Sequence, residues 1–222
     1  MYISNDEGSA MKKLLTPLTL AVALSAATSA QALEGDAKAG QQAAAVCTSC
    51  HQPDGGGMNI AGGQSWPRLA GLDAGYLYKQ LQDIKAGTRQ SPVMMPFVSM
   101  LNEQQMRDVS VYYSQLPATA GKGGEQASAE ELAHGEKLAT VGDWERYIVP
   151  CQSCHGPNNQ GVGANFPALA GQHAGYIADQ LRAWKNGTRD NDPLHLMLAI
   201  AERMDEKDIR AVSQWLSRQP AK

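Results

Sequence analysis

All four cysteines of the chain lie in two copies of one motif, Cys47-Thr48-Ser49-Cys50-His51 and Cys151-Gln152-Ser153-Cys154-His155. The flanking sequence is also written twice. WPRLAGLDAGYLYKQLQDIKAGTR at 66–89 returns as FPALAGQHAGYIADQLRAWKNGTR at 166–189, at an offset of 100. LNEQQMRDVSVYYSQLP at 101–117 returns as MDEKDIRAVSQWLSRQP at 204–220, at an offset of 103. Such a repeat is expected to fold as two copies of one unit. The units run over 33–117 and 129–222, and the Gly/Ala/Ser-rich stretch ATAGKGGEQAS at 118–128 is the linker.

Each unit reads as all-α. Ala37–Val46 and Ala129–Val141 are short helices upstream of the motif. Asp73–Ala86 carries Leu77, Leu81 and Ile84 at helical spacing and stops at Gly87; Ala174–Asn186 repeats it with Ile177, Leu181 and Trp184. Asn102 with Gln105 is a capping pair for the last helix of the first unit, whose apolar stripe is Met106, Val109, Tyr113 and Leu116. Ile209, Val212 and Leu216 form the stripe in the second unit. No segment alternates as a strand would. Units of roughly 85–95 residues with three or four short helices bury a modest core. A large apolar group to fold around would add much to it.

A c-type haem is such a group. In CxxCH the two thiols lie on one side of a helical turn and add to the two haem vinyl groups. The adjacent histidine then lies under the iron as an axial ligand. Competing readings fit less well. A thioredoxin-like CxxC wants a βαβ context, a zinc site would draw its cysteine pairs from separate repeats, and local disulfides leave both histidines unexplained. The pattern therefore predicts two covalently bound haem c groups, one on Cys47, Cys50 and His51 and one on Cys151, Cys154 and His155.

Each iron needs a sixth ligand, and methionine there favours electron transfer. The first unit offers Met94, Met95 and Met100; the second offers Met197 and Met204. Aligned on the last helix, Met94 falls on Met197, Met95 on Leu198, Met100 on Arg203 and Met204 on Leu101. Only Met94 and Met197 pair, so they are the expected ligands. A register error of one residue would select Met95, and Met100 and Met204 are expected to be packing residues. His195, His173 and His134 have no counterpart suited to ligation and are expected at the surface.

The N-terminus carries a targeting signal. Lys12 and Lys13 precede a mostly apolar run from Leu14 to Ala27, and Ala30-Gln31-Ala32 is a cleavage signature. Residues 1–32 are the expected signal peptide, with 1–10 an extension ahead of a natural start at Met11, and the mature chain begins near Leu33. No later stretch has the length of a membrane span, so any membrane contact would be peripheral. The formal net charge of −3 argues against nucleic acid as a partner.

The paired CxxCH units, the (W/F)P-x-LAG segments, the GTR turns and the methionine before each last helix resemble the cytochrome c4 family. These are di-haem, two-domain class I cytochromes c of the bacterial periplasm. The resemblance implies a cytochrome c fold in each half, packing about a pseudo-twofold axis, His/Met ligation of both irons, and electron delivery towards terminal oxidases. It further implies that the carbonyls of Pro67 and Pro167 accept the ring N–H of the proximal histidines. It places Gly40 and Gly135 where first and last helices cross, opposite Tyr112 and Trp215. Two departures stand out. The loop from His51 to Trp66 is four residues longer than its counterpart, and the second unit carries a nine-residue extension at about 142–150.

The expected function is a monomeric, periplasmic one-electron carrier, not an enzyme, between respiratory donors and a terminal oxidase or other reductase. It would meet its redox protein partners in small, transient contacts. The alternative is a dedicated electron-accepting subunit of a periplasmic dehydrogenase, such as one oxidising sulfur compounds. A di-haem peroxidase would need an open distal site, against which the Met94/Met197 pairing argues.

Overall fold

The computed structural model describes residues 33–222 apart from Glu125. The leader expected at 1–32 lies outside the described residues. The first half contains α1 (Ala37–Ala43), α2 (Thr48–His51), α3 (Ala74–Ala86), α4 (Met95–Ser99) and α5 (Glu103–Gln115). The second contains α6 (Ala129–Thr140), α7 (Gln152–His155), α8 (Ala174–Lys185), α9 (Leu196–Ala201) and α10 (Glu206–Ser217). Among the described residues there is no strand, only isolated bridges. The fold is all-α and written twice, as the repeat requires.

Local chemistry sets the helix ends. Asp36 accepts from the amides of Lys38 and Ala39 to start α1, and Ser128 accepts from Glu131 to start α6. Asn102 with Gln105, and Asp205 with Asp208, form reciprocal capping boxes at α5 and α10. Gly87 ends α3 at φ 78°, a left-handed position where glycine carries no steric cost. The short α4 and α9, which precede the last helix of each half, have no counterpart in the sequence reading.

The first and last helices of each half cross at glycine. A Cβ on Gly40 would overlap the Asp108 carbonyl and lie 2.9 Å from Tyr112 Cβ. One on Gly135 would overlap the Ala211 carbonyl and lie 2.8 Å from Trp215 Cβ. Below these crossings the first half buries Leu72, Leu77, Val109 and Tyr113, and beside them Ile84, Val98 and Met106. The second half buries Leu138, Ile177, Leu181, Ile209, Val212 and Leu216.

The extension in the second half forms a 3-10 turn, Trp144–Arg146, closed by a bridge between Asp143 and Ile148. Arg146 ties it to Asp143 and to Asp208 on α10. The linker is tied down as well. Ala174 N–H donates to the Lys122 carbonyl at 2.9 Å, and Arg218 Nε donates to the Gly124 carbonyl at 2.6 Å.

Three side chains depart from expectation. His173 is buried at 2% exposure rather than at the surface. It occupies the cap position that Asp73 fills in the first half, but its ring points away from its own helix. Nε2–H donates to the Gly56 carbonyl at 2.7 Å, and Nδ1 accepts from Lys122 N–H at 3.2 Å. His134 is partly buried against Asp208, at 2.7 Å. Met100 is 65% exposed and packs no core, whereas Met204 is buried as expected.

Candidate haem-binding cavity

A continuous cavity of 1780 Å³ runs through both halves. Cys47, Cys50, His51, Pro67 and Met94 line it in the first half. Cys151, Cys154, His155, Pro167 and Met197 line it in the second. Met95 and Met100 do not. Met95 Sδ instead meets the hydroxyl of Ser99 at 3.5 Å on the exposed side of α4. The register argument for Met94 over Met95 therefore coincides with which side chain faces the cavity. Met204 also lines the cavity, from the core of the second half.

The motif histidines are oriented alike. His51 Nδ1 lies 2.9 Å from the Pro67 carbonyl, and His155 Nδ1 lies 2.7 Å from the Pro167 carbonyl. A carbonyl only accepts, so each Nδ1 carries the proton and each Nε2 lone pair is free for a metal. Burial lowers the pKa of both rings and outweighs the opposing pull of the carbonyl, which keeps that lone pair unprotonated. The four cysteines are free. Burial raises the Cys47 thiol and pushes Cys151 up to about 11, so both are neutral thiols at physiological pH. Adding S–H across a vinyl double bond needs no outside oxidant, and these thiols suit it.

The walls fit a haem and not a bare ion. Among the described residues no group of three or more His, Cys, Asp or Glu side chains could hold a metal. Each half supplies one imidazole and one repeated thioether to the cavity, with Met204 a further thioether in the second half, and neither set could enclose a bare ion. The four equatorial donors must come with the metal, as they do in a porphyrin. Trp184 Nε1 is buried without a partner, and its ring lies 4.0 Å from the Arg189 guanidinium. An unmet donor beside a cation suits the carboxylate edge of a haem.

The GTR turns hold residues whose role the sequence reading missed. Arg89 and Arg189 meet in a backbone bridge between the halves. Arg89 donates to Gln80 Oε1 at 3.0 Å and to Gln180 Oε1 at 3.1 Å; Arg189 donates to Gln180 Oε1 at 2.7 Å and to Gln80 Oε1 at 3.1 Å. Each arginine thus bridges its own half to the other with near-twofold symmetry. Tyr176 accepts from Arg89 at 3.0 Å. Burial would raise this phenol, but the two arginines outweigh it and lower its pKa. The available signal was an arginine kept at the same place in both copies.

The cytochrome c family model matches residues 37–117 and 145–219. The chain is 42% identical over 212 residues to the thiosulfate dehydrogenase electron acceptor of Stutzerimonas stutzeri, across 93% of this chain and 96% of that protein. It is 37% identical over 208 residues to cytochrome c4 of Pseudomonas aeruginosa, across 93% and 98%. Among solved structures, reduced recombinant cytochrome c4 from Pseudomonas stutzeri superposes with a TM-score of 0.75 at 36% identity, covering 84% of this chain and all of that one. The thiosulfate dehydrogenase TsdBA from Marichromatium purpuratum superposes at 0.76 with 37% identity, and this chain spans 40% of its length.

Proposed function

The chain belongs to the cytochrome c4 family of di-haem cytochromes c, and from that premise we propose that it is the periplasmic electron acceptor of a dehydrogenase acting on thiosulfate or a similar sulfur anion. As a cytochrome c of this family it holds haem c covalently and transfers electrons to and from redox proteins. In this reading residues 1–32 direct export, 33–117 and 129–222 each hold one haem, and 118–128 joins them. Cys47 and Cys50, and Cys151 and Cys154, carry the thioether bonds. His51 with Met94, and His155 with Met197, are the axial ligands.

The observation that carries the reading is the same set of four side chains in each half of one cavity: a histidine fixed by a proline carbonyl, a methionine, and two free thiols. With both axial positions filled by the protein, neither iron offers a place to substrate, and the bound haem supplies one-electron chemistry through its edge. Methionine raises the potential, and the carbonyl-bonded histidine opposes it by donating more strongly. Oxidative joining of two thiosulfate anions releases two electrons, and two haems in one chain take one each. The sulfur-oxidation reading is supported by the 42% identity to a thiosulfate dehydrogenase electron acceptor, above the 37% to a cytochrome c4.

A second reading, a free shuttle towards a terminal oxidase, is favoured by the end-to-end likeness to cytochrome c4, across 98% of the Pseudomonas aeruginosa protein. Mixing the oxidised protein with thiosulfate and a thiosulfate dehydrogenase, and following haem absorbance, separates the two. Reduction of both haems within the turnover time of the dehydrogenase is expected. No reduction there, with rapid reduction by a quinol-oxidising membrane complex, selects the shuttle. Rapid peroxide turnover by the oxidised protein would defeat both.

A further inference from the structure

The Pro67–Arg68 peptide group is held at both ends. Its carbonyl accepts from His51 Nδ1–H at 2.9 Å, and its N–H donates to Gln172 Oε1 at 2.8 Å. These are the two poles of one planar, conjugated amide. Gln172 comes from the other half of the molecule and is buried at 3% exposure. Its orientation is fixed, because Nε2 donates to the Arg68 carbonyl at 2.9 Å and Oε1 also accepts from His173 N–H at 3.0 Å. The Arg68 guanidinium, 1% exposed, reaches the Gly171 carbonyl at 3.1 Å and the Ala170 carbonyl at 3.0 Å. The peptide that orients His51 is thus clamped from across the contact between halves.

The second half lacks this arrangement. The Pro167 carbonyl accepts from His155 as its counterpart does. The position matching Gln172 is Leu72, which is buried in the first half's core and has no acceptor. The position matching Arg68 is Ala168. Two sites that repeat each other in ligands therefore differ one step further out.

We propose that Gln172 is a positioning residue for the first haem, acting through the Pro67–Arg68 amide to lower that haem's potential and to link it to the contact between halves. Accepting from an amide N–H drives electron density towards the same amide's carbonyl, so the two hydrogen bonds reinforce each other. A stronger acceptor on Nδ1–H makes His51 a stronger donor to iron. Stronger donation stabilises the ferric form and lowers the potential. Only the first haem is tuned in this way, so the repeat gains an asymmetry while keeping identical ligands. The inference rests on His51 as the axial ligand.

The test is a spectroscopic redox titration of the holoprotein with Gln172→Leu, which installs the side chain found at the matching position. One of the two potentials rises and the other holds. In nitrogen-edited NMR of the reduced protein, the His51 Nδ1–H resonance moves towards that of a weaker hydrogen bond, while that of His155 stays. Gln172→Met, closer in shape, gives the same result if leucine prevents folding. Arg68→Met is the control: it loosens the same contact and removes a buried cation but keeps the Arg68 N–H, so the first potential falls or holds. Unchanged potentials in Gln172→Leu, equal shifts of both, or a rise in Arg68→Met equal to that in Gln172→Leu would each overturn the proposal. The wild-type spectrum tests the premise separately. His51 ring protons without porphyrin ring-current shifts mean that His51 is not a ligand; with those shifts present and Nδ1–H unmoved by Gln172→Leu, only the relay fails.

Discussion

Asp208 makes acid stability a direct test of how the extension at 142–150 is held. Its side chain is 2% exposed. Arg146 donates to it at 2.7 and 3.1 Å, His134 Nε2 at 2.7 Å, and the Asp205 N–H at 2.9 Å. Burial opposes the charge, but the Arg146, Asp205 and His134 donors outweigh it and hold the carboxyl at about 2, against an ordinary 3.8. At about 1.4 kcal/mol per pH unit of separation, that gap corresponds to roughly 2 kcal/mol. The sign follows from the depressed value. The contribution is fully present above the ordinary carboxylate pKa of 3.8 and is lost as the pH falls through about 2. Asp208→Asn removes the charge and turns an N–H₂ towards donors. Arg146 is 37% exposed and rehydrates readily, so the cost stays below the ~3–5 kcal/mol of breaking a fully buried pair. We expect about 2–3 kcal/mol by denaturant unfolding at near-neutral pH, with haem content unchanged. The gap between wild type and Asp208→Asn should close as the pH approaches 2. A gap of the same size at every pH, or none at near-neutral pH, would refute the reasoning.

Three further outcomes are expected. Met94→Ala removes about half of the sulfur-to-iron charge-transfer absorption and lowers one potential, whereas Met95→Ala leaves both intact; the reverse result would move the ligand by one residue. Gly40→Ala or Gly135→Ala destabilises by roughly 1–3 kcal/mol in denaturant melts, because a Cβ has no room against the facing carbonyl. That sign is opposite to the gain of about 0.4–1 kcal/mol that a glycine-to-alanine change gives where the new side chain fits. Cys47→Ala combined with Cys50→Ala leaves one covalent haem per chain by mass, and two would sink the attachment assignment.

What the sequence made legible was local or repeated. The Asn102/Gln105 box and the Gly87 stop are read from neighbours a few residues away, and both are present. The repeat distinguished Met94 from Met95 with no structural information, and the structure turns Met94 towards the cavity. Met100 failed because position alone does not say which face of a short connecting segment is covered. His173 failed for a related reason. Its place before α8 predicts an exposed cap like Asp73, but its hydrogen-bond partners lie 51 and 117 residues away, and nothing near it in sequence encodes them.

The repeat also carried a second signal, in the positions where its copies disagree. Arg68 against Ala168, Leu72 against Gln172 and Asp73 against His173 are changes of polarity inside otherwise matching blocks. In all three pairs the polar or bulkier member makes the contact between halves: Arg68 to the carbonyls at 170 and 171, Gln172 to both ends of Arg68, and His173 to Gly56. The longer loop of the first half follows the same rule. Its Asn59 accepts from Gly175 N–H at 2.9 Å, and a Cβ on Gly175 would overlap the Ser65 hydroxyl. Positions shared by both copies build the haem cavity twice. Shared positions also join the halves symmetrically, through Arg89, Arg189, Gln80 and Gln180; these three differing pairs add contacts that are made only once, which makes the docked pair asymmetric. In this chain that asymmetric set reaches, through a single amide, the peptide that orients His51.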